Sequence, residues 1–277
     1  MSSQAPQLSH LLEVAESAAR AAGTVALRGF RGPMEVRSKG GKDIVTEYDT
    51  AAEEAAIGVI RGEFPDHAVL AEESGISAGA LTSSSAYTWA VDPIDGTHNY
   101  AAQLPFWCTS VAVGETGGKI VAGAIFDPLH DELFTATLGG GAHLNGSRIH
   151  VSATRTLGDA FLATDIGYGA DIAHRMMSLA PYVQPRVKRL RLLGSAVLAL
   201  AYVAAGRFDA YYHLSLQTWD MAAAALLVSE AGGAMTDWDG NDLGDIRMGL
   251  GNAVAANVIL QPQVLALLRV GEMGDVQ

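Results

Sequence analysis

Apolar side chains recur at helical spacing near the start of the chain. Leu8, Leu11, Leu12, Ala15, Ala18, Ala19, Ala22, Val25 and Ala26 fall on one face of an α-helical period. The spacing predicts an amphipathic helix over 8–30, stopped by Gly29, Gly32 and Pro33. Residues 37–43 are polar and glycine-rich and read as a mobile loop. A second helix is predicted over 47–63, with Pro65 as its stop and Thr50 and Glu53 at capping-box spacing. A short apolar strand over 68–71 leads into Glu72-Glu73-Ser74, and a Ser/Gly-rich loop covers 74–86. Residues 87–91 read as a buried strand, and 106–114, 119–127 and 131–137 as three more, separated by Gly-rich turns, so this middle part predicts an antiparallel sheet. Beyond it the pattern alternates. Strands near 160–164, 187–192, 208–213 and 233–237 are interleaved with helices near 169–180, 195–205 and 219–231, which points to layered α/β packing.

Composition narrows the class. With 49% hydrophobic and 17% charged residues, the 277-residue chain can bury a substantial core, which excludes disorder as its dominant state. A net charge of −12 argues against a nucleic-acid backbone or an anionic membrane as main partner. It leaves a phosphorylated substrate open, because bound metal ions invert the local field, and an excess of carboxylates suits hard cations. Cys108 is the single cysteine, so there is no intrachain disulfide and no Cys-based zinc site, and a reducing cytoplasm fits. Residues 1–9 lack the basic and apolar regions of a signal peptide. The longest apolar run, 196–205, is about half of the ~18 residues a membrane span needs.

Four segments carry candidate chemistry. In Trp89-Ala90-Val91-Asp92-Pro93-Ile94-Asp95-Gly96-Thr97 an apolar strand delivers two aspartates onto a tight turn, with Pro93 fixing φ and Gly96 relaxing it. Carboxylates at a strand end suit Mg²⁺, and the amides of Gly96 and Thr97 would open a short helix over 97–102 and seat a phosphate. The competing reading is an Asp-Pro-x-Asp-Gly surface turn. Glu72-Glu73 are adjacent acids after a strand, either a cation site or a solvated loop. Asp220 precedes an apolar helix, as a first-turn acid favoured by the macrodipole or as a buried metal ligand. Asp49, at the start of the second helix, is a first-turn acid or the base partner of a hydroxyl elsewhere. Other patterns carry less. Residues 75–79 match G-x-S-x-G but lack the helix that a nucleophile elbow requires. Gly139-Gly140-Gly141 reads as a hairpin, His98 as a surface or hydrogen-bonding residue, and Cys108 as core.

Together these segments resemble the inositol monophosphatase family of Mg²⁺-dependent, lithium-sensitive phosphatases. The matching pieces are Glu72-Glu73-Ser74, residues 89–100, Trp219-Asp220 with 222–233, residues 43–49 and residues 206–212, and the likeness spans about 8–268. The resemblance implies a five-layered αβαβα sandwich of the α/β (α+β) class, shared with fructose-1,6-bisphosphatase. It also implies one phosphatase domain over 1–277, with approximate halves 1–150 and 151–277, in a homodimer. It implies two or three Mg²⁺ ions. Glu72, Asp92 and the carbonyl of Ile94 would hold the first, and Asp92, Asp95 and Asp220 the second. A weaker third would lean on Glu72 near the loop of Lys39 and Lys42. Thr97 and Asp49, with Glu72, would be catalytic, orienting and deprotonating the attacking water. Gly96 and Thr97 would bind phosphate, and Gly194, Ser195, Ala196, Asp95, Asp220 and residue 213 would face the rest of the substrate.

Position 213 departs from the inositol-specific pattern. The family commonly has Glu there, where this chain has His213. A carboxylate accepts two hydroxyl hydrogen bonds and a neutral imidazole accepts one, so His213 either changes specificity or is a tolerated rim variant. The expectation is a cytoplasmic phosphomonoesterase acting on a small polyol or sugar phosphate, with neither nucleic acid nor membrane as partner. The alternatives are a phosphatase of another biosynthetic phosphate, and a regulatory or binding protein of the same fold.

Overall fold

The computed structural model describes residues 4–76 and 85–274. The chain opens with α1 (Gln4–Gly29), the hairpin β1 (Val36–Gly40) and β2 (Asp43–Thr46), and α2 (Glu47–Glu63). There follow β3 (Ala68–Ala71), β4 (Gly75–Ile76), β5 (Tyr87–Asp95), the short α3 (Thr97–Ala101), β6 (Cys108–Glu115), β7 (Ile120–Asp127), β8 (Glu132–Thr137), β9 (Gly141–Leu144) and β10 (Ser147–Arg148). The second half runs β11 (Phe161–Thr164), α4 (Ala170–Val183), β12 (Arg189–Leu192), α5 (Ala196–Ala204), β13 (Ala210–Leu216) and α6 (Thr218–Glu230). It closes with β14 (Gly233–Thr236), β15 (Gly251–Asn257) and α7 (Gln261–Gly274).

Two large sheets carry the architecture. The eight-stranded sheet has the order β10-β9-β8-β7-β6-β5-β3-β4, with β3 parallel to β5 and the other neighbours antiparallel. The five-stranded sheet has the order β12-β11-β13-β15-β14, with β11 parallel to both its neighbours. α1 and α2 cover one face of the first sheet. Their contact stripe is small, with Ala15, Ala18, Ala19, Ala22 and Ala26 at 0% exposure, which lets α1 lie close on β6 and β7. α5 and α6 lie between the sheets. Both are apolar around almost their whole circumference, as a helix buried on two sides must be. α4 and α7 close the far face. The layers are therefore α-β-α-β-α, the expected five-layered sandwich.

Several local expectations change. Residues 37–43, read as a mobile loop, form the β1–β2 hairpin, with Val36 paired to Thr46 and Arg37 to Val45. Apart from Val36, β1 is polar or glycine, so no apolar alternation marked the strand. Thr50 and Glu53 do not make the capping box. Thr46 and Asp49 do, and Glu53 is turned elsewhere. The strand predicted over 87–91 continues to Asp95, with its register interrupted between Asp92 and Asp95, where Pro93 has no amide to donate. The 74–86 loop contains β4, and Ser77 of the G-x-S-x-G pattern lies outside the described residues. The Gly139–Gly141 turn does join a β8–β9 hairpin. Among the described residues, no helix is long and apolar enough to cross a membrane.

Candidate active site

Parallel pairing brings the first acids together. Ala71 of β3 is in register with Val91 of β5, so both strands deliver their next residue, Glu72 and Asp92, at the same level, and the Glu72 amide donates to the Val91 carbonyl at 3.2 Å. Asp95 follows across the interrupted end of β5. The first turn of α6 brings Asp220, whose Oδ2 accepts the Gln217 N–H at 2.7 Å. These four acids, with Ile94, Gly96, Thr97, Gly194 and Ala196, line one cleft of about 720 Å³. The turn after Asp95 needs glycine. Gly96 has φ +95°, and a Cβ there would stand 2.9 Å from the Gly194 carbonyl oxygen and 3.3 Å from that of Phe106. Asn99 ties the same corner together, donating to Phe106 O at 2.8 Å and Leu193 O at 2.6 Å.

The acids repel one another in a buried setting. Asp92 is 1% exposed. Burial, and then Glu72, Asp95 and Asp220, push its carboxyl well above the usual range. Burial also drives Asp220 up, with Glu72 and Asp95 adding to it, and Asp220 shares a hydrogen bond with Asp92. Burial raises Glu72 while Lys39 pulls it back. Burial lifts Glu73 to about 7. Lys39 Nζ lies 2.9 Å from Glu72 Oε1 and 2.6 Å from Glu73 Oε1. Burial works against the Lys39 charge, but these two carboxylates outweigh it and hold its pKa above the usual lysine value. Asp95 turns to the N-terminus of α5, taking the Ser195 hydroxyl and the amides of Ala196, Val197 and Leu198. Burial still holds it up at about 6.

Glu72, Asp95 and Asp220 are directed at protein donors, and among the described residues no three His, Cys, Asp or Glu side chains converge as an ion would require. The donor set nonetheless fits a hard cation. It is all oxygen, its members destabilise each other's charge, and Asp92 Oδ1 is buried with no hydrogen-bond partner among the described residues. Ser195, expected to face the substrate, is 2% exposed and gives its hydroxyl to Asp95 instead.

Thr97 and Asp49 meet as expected. Thr97 Oγ1 lies 2.9 Å from Asp49 Oδ1 and 3.1 Å from the Ile94 carbonyl. Asp49 Oδ2 accepts the Thr46 amide at 2.7 Å and its hydroxyl at 2.5 Å, so the same carboxylate caps α2. Burial raises Asp49, against the lowering hydrogen bonds from Thr46 and Thr97. Several site residues went unread in the sequence. Glu53 latches the Glu73 and Ser74 amides at 2.7 and 2.9 Å. Asp165, Tyr168 and Tyr211 line the cleft as well. Of these, only Glu53 drew a reading from the sequence, as the capping-box partner of Thr50.

Residues 7–270 match the model of the inositol monophosphatase family. The chain belongs to this family. It is 40% identical over 268 residues to Nus factor SuhB of Escherichia coli K12, covering 96% of this chain and 97% of that one. It is 38% identical to the chloroplastic phosphatase IMPL1 of Arabidopsis thaliana, covering 92% of this chain and 69% of that one. The inositol monophosphatase structure from Anabaena sp. PCC 7120 superposes with a TM-score of 0.81 at 33% identity, covering 95% of this chain and 96% of that one.

Against the inositol monophosphatase pattern, His213 takes an unexpected hydrogen-bonding state. Its Nδ1 accepts the Ser215 N–H at 3.0 Å, so Nε2 carries the proton and the ring presents a donor, not the acceptor expected from the sequence. Burial pushes it down to about 4, so it is neutral near pH 7 and does not offer an imidazolium to an anion. In the unfolded chain it titrates near the ordinary histidine value of about 6.5. Between the two values the unfolded state binds more protons, so this contribution to stability is whole above about 6.5 and is lost as pH falls toward the folded value. The loss amounts to about 3 kcal/mol. His213→Gln is expected to lack this acid sensitivity, and the melting-temperature gap between parent and variant should narrow or reverse between about pH 7 and about pH 4.5. A gap that stays constant would mean the ring protonates as easily folded as unfolded.

Proposed function

We propose that this chain is a Mg²⁺-dependent phosphomonoesterase that hydrolyses a small polyol or sugar phosphate with an attacking water. The observation that carries the reading is the buried carboxylate group around Asp92, with its unpartnered Oδ1, beside the Thr97–Asp49 pair. Glu72, Asp92, the Ile94 carbonyl, Asp95 and Asp220 would hold the ions, in the two- or three-ion stoichiometry that the family likeness implies. Bound there, Mg²⁺ supplies charge neutralisation of the phosphate dianion, a lowered water pKa and stabilisation of the leaving alkoxide. Thr97, donating its own proton to Asp49, keeps lone pairs to orient the water, and Asp49 receives the proton released. The amides of Gly96 and Thr97 hold the phosphate oxygens, and Gly194, Ala196 and His213 flank the remainder of the substrate. A homodimer and a cytoplasmic setting belong to the same proposal.

Phosphate release across a panel of phosphomonoesters tests this. The panel includes inositol 1-phosphate, fructose 1,6-bisphosphate, histidinol phosphate and nucleoside phosphates. Release should require Mg²⁺, fall with Ca²⁺, whose longer and looser coordination fits the site poorly, and be inhibited by lithium. Full activity in excess EDTA would sink the metal mechanism. A second reading, a partner-binding protein of this fold, draws on the name Nus factor carried by the 40%-identical relative. Intact acids with no turnover on any phosphomonoester would favour it.

A further inference from the structure

One wall of the cleft has chemistry that a phosphate does not explain. Asp165 directly follows β11, whose Thr164 pairs with Tyr212 of β13, so it emerges beside His213. Its Oδ1 accepts the Ile166 amide at 2.7 Å. Among the described residues, nothing donates to its second oxygen and no Lys or Arg pairs with it; burial raises its carboxyl, with the Ile166 amide and then nearby His98 acting against it. Tyr168, three residues on, stands 51% exposed at the mouth. Its ring stacks on His98 with centroids 5.3 Å apart and planes 29° apart. His98 is itself braced by the Lys42 carbonyl, 2.9 Å from Nε2. Between them Gly167, at φ +78°, lies against the His213 ring, where a Cβ would come within 3.4 Å of Cε1 and Nε2.

We propose that Asp165 and Tyr168 read the non-phosphate end of the substrate, and that this end carries a protonated amine or a cationic heterocycle. The inference rests on the phosphatase reading above and refines its substrate class. A carboxylate with an open acceptor, set in a cleft that takes an anion at its other end, is repulsive to the phosphate and attractive only to a positive or donor-rich group. The exposed face of Tyr168 beside it is a second feature that favours a cation, through the ring quadrupole. His213, neutral and donor-only toward the cleft, leaves the acceptor role to neighbours such as Asp165. A neutral polyol would use the carboxylate through its hydroxyls but would gain little from the aromatic face.

The test compares ω-aminoalkyl phosphates with ω-hydroxyalkyl phosphates of the same chain lengths, by phosphate release with Mg²⁺ present. For the parent, the best amine should exceed its hydroxyl counterpart in kcat/KM by about tenfold or more, with the advantage lying in KM and shrinking with added salt. In Asp165→Asn, which keeps an acceptor for the Ile166 amide, the ratio should collapse to about threefold or less, and Asp165→Glu should restore part of it. Tyr168→Leu should reduce the ratio without abolishing it. An amine preference absent from the parent overturns the proposal without needing any variant to fold. So does a preference that survives in Asp165→Asn. Release from a member of the panel above but from none of these compounds would overturn the inference and leave the phosphatase reading standing; release from neither set would remove both.

Discussion

Asp92→Asn is expected to lower turnover by at least about a thousandfold at saturating Mg²⁺ while leaving the metal-free fold as stable as the parent or more so. Two effects of one substitution diverge here. In the proposed site Asp92 would help to hold the ions, and an amide offers neither the charge nor two equivalent oxygens to do so. In the metal-free protein the same carboxyl is a liability. It is buried, Glu72, Asp95 and Asp220 all disfavour its ionised form, and Oδ1 has no donor among the described residues. Asn has the shape of the protonated acid that this environment already prefers, and its amide can donate to Asp220. Mg²⁺ should therefore raise the melting temperature of the parent by mass action and leave that of the variant nearly unmoved. Near-normal turnover in Asp92→Asn would show that Asp92 does not hold the ions. A large loss of stability in EDTA would show that the carboxylate is satisfied by contacts other than a cation.

The layers were legible where burial writes itself into composition. α5 and α6 are apolar on all sides, and the helical stripe of α1 is continuous, so the central helices and α1 could be read. β15 and α7 were not. The strand Gly-Asn-Ala-Val-Ala-Ala-Asn has one β-branched residue, and its place is set by pairing with β13 and β14. The capping register of α2 was ambiguous because Thr46–Asp49 and Thr50–Glu53 have the same spacing. Tertiary structure decides it, since Glu53 is claimed by the amides of Glu73 and Ser74. The acids of the site were legible because each sits in a local motif. Asp165 and Tyr168 were not, because what makes them part of the site is the folding of a loop over a cleft whose other residues lie far away in sequence. Nor could a sequence say that His213 spends its acceptor on Ser215.

Thr97→Ala and Asp49→Asn are each expected to cut kcat by about a hundredfold to a thousandfold, and the double variant to lose little more than the worse single one. Thr97 has no strong base of its own. Its hydroxyl reaches Asp49 Oδ1 at 2.9 Å, while Asp49 is 0% exposed and cannot meet the water except through Thr97. Neither residue should therefore work without the other, which predicts strong non-additivity. Asp49 also caps α2, so Asp49→Asn should lose about 1 kcal/mol of stability, and kcat must be read well below the melting transition. Thr97→Ser keeps the hydroxyl and should retain much of the activity, separating chemistry from packing. The pH profile adds a readout that a purely structural role would not move. Rate should fall as pH drops through the Asp49 pKa, because the protonated acid cannot accept. The Thr97 hydrogen bond holds that pKa down against burial, so its removal should move the acid limb of the residual activity in Thr97→Ala to higher pH. Fully additive losses, or an acid limb that stays in place, would mean that the two side chains act independently and that the attacking water finds its base elsewhere.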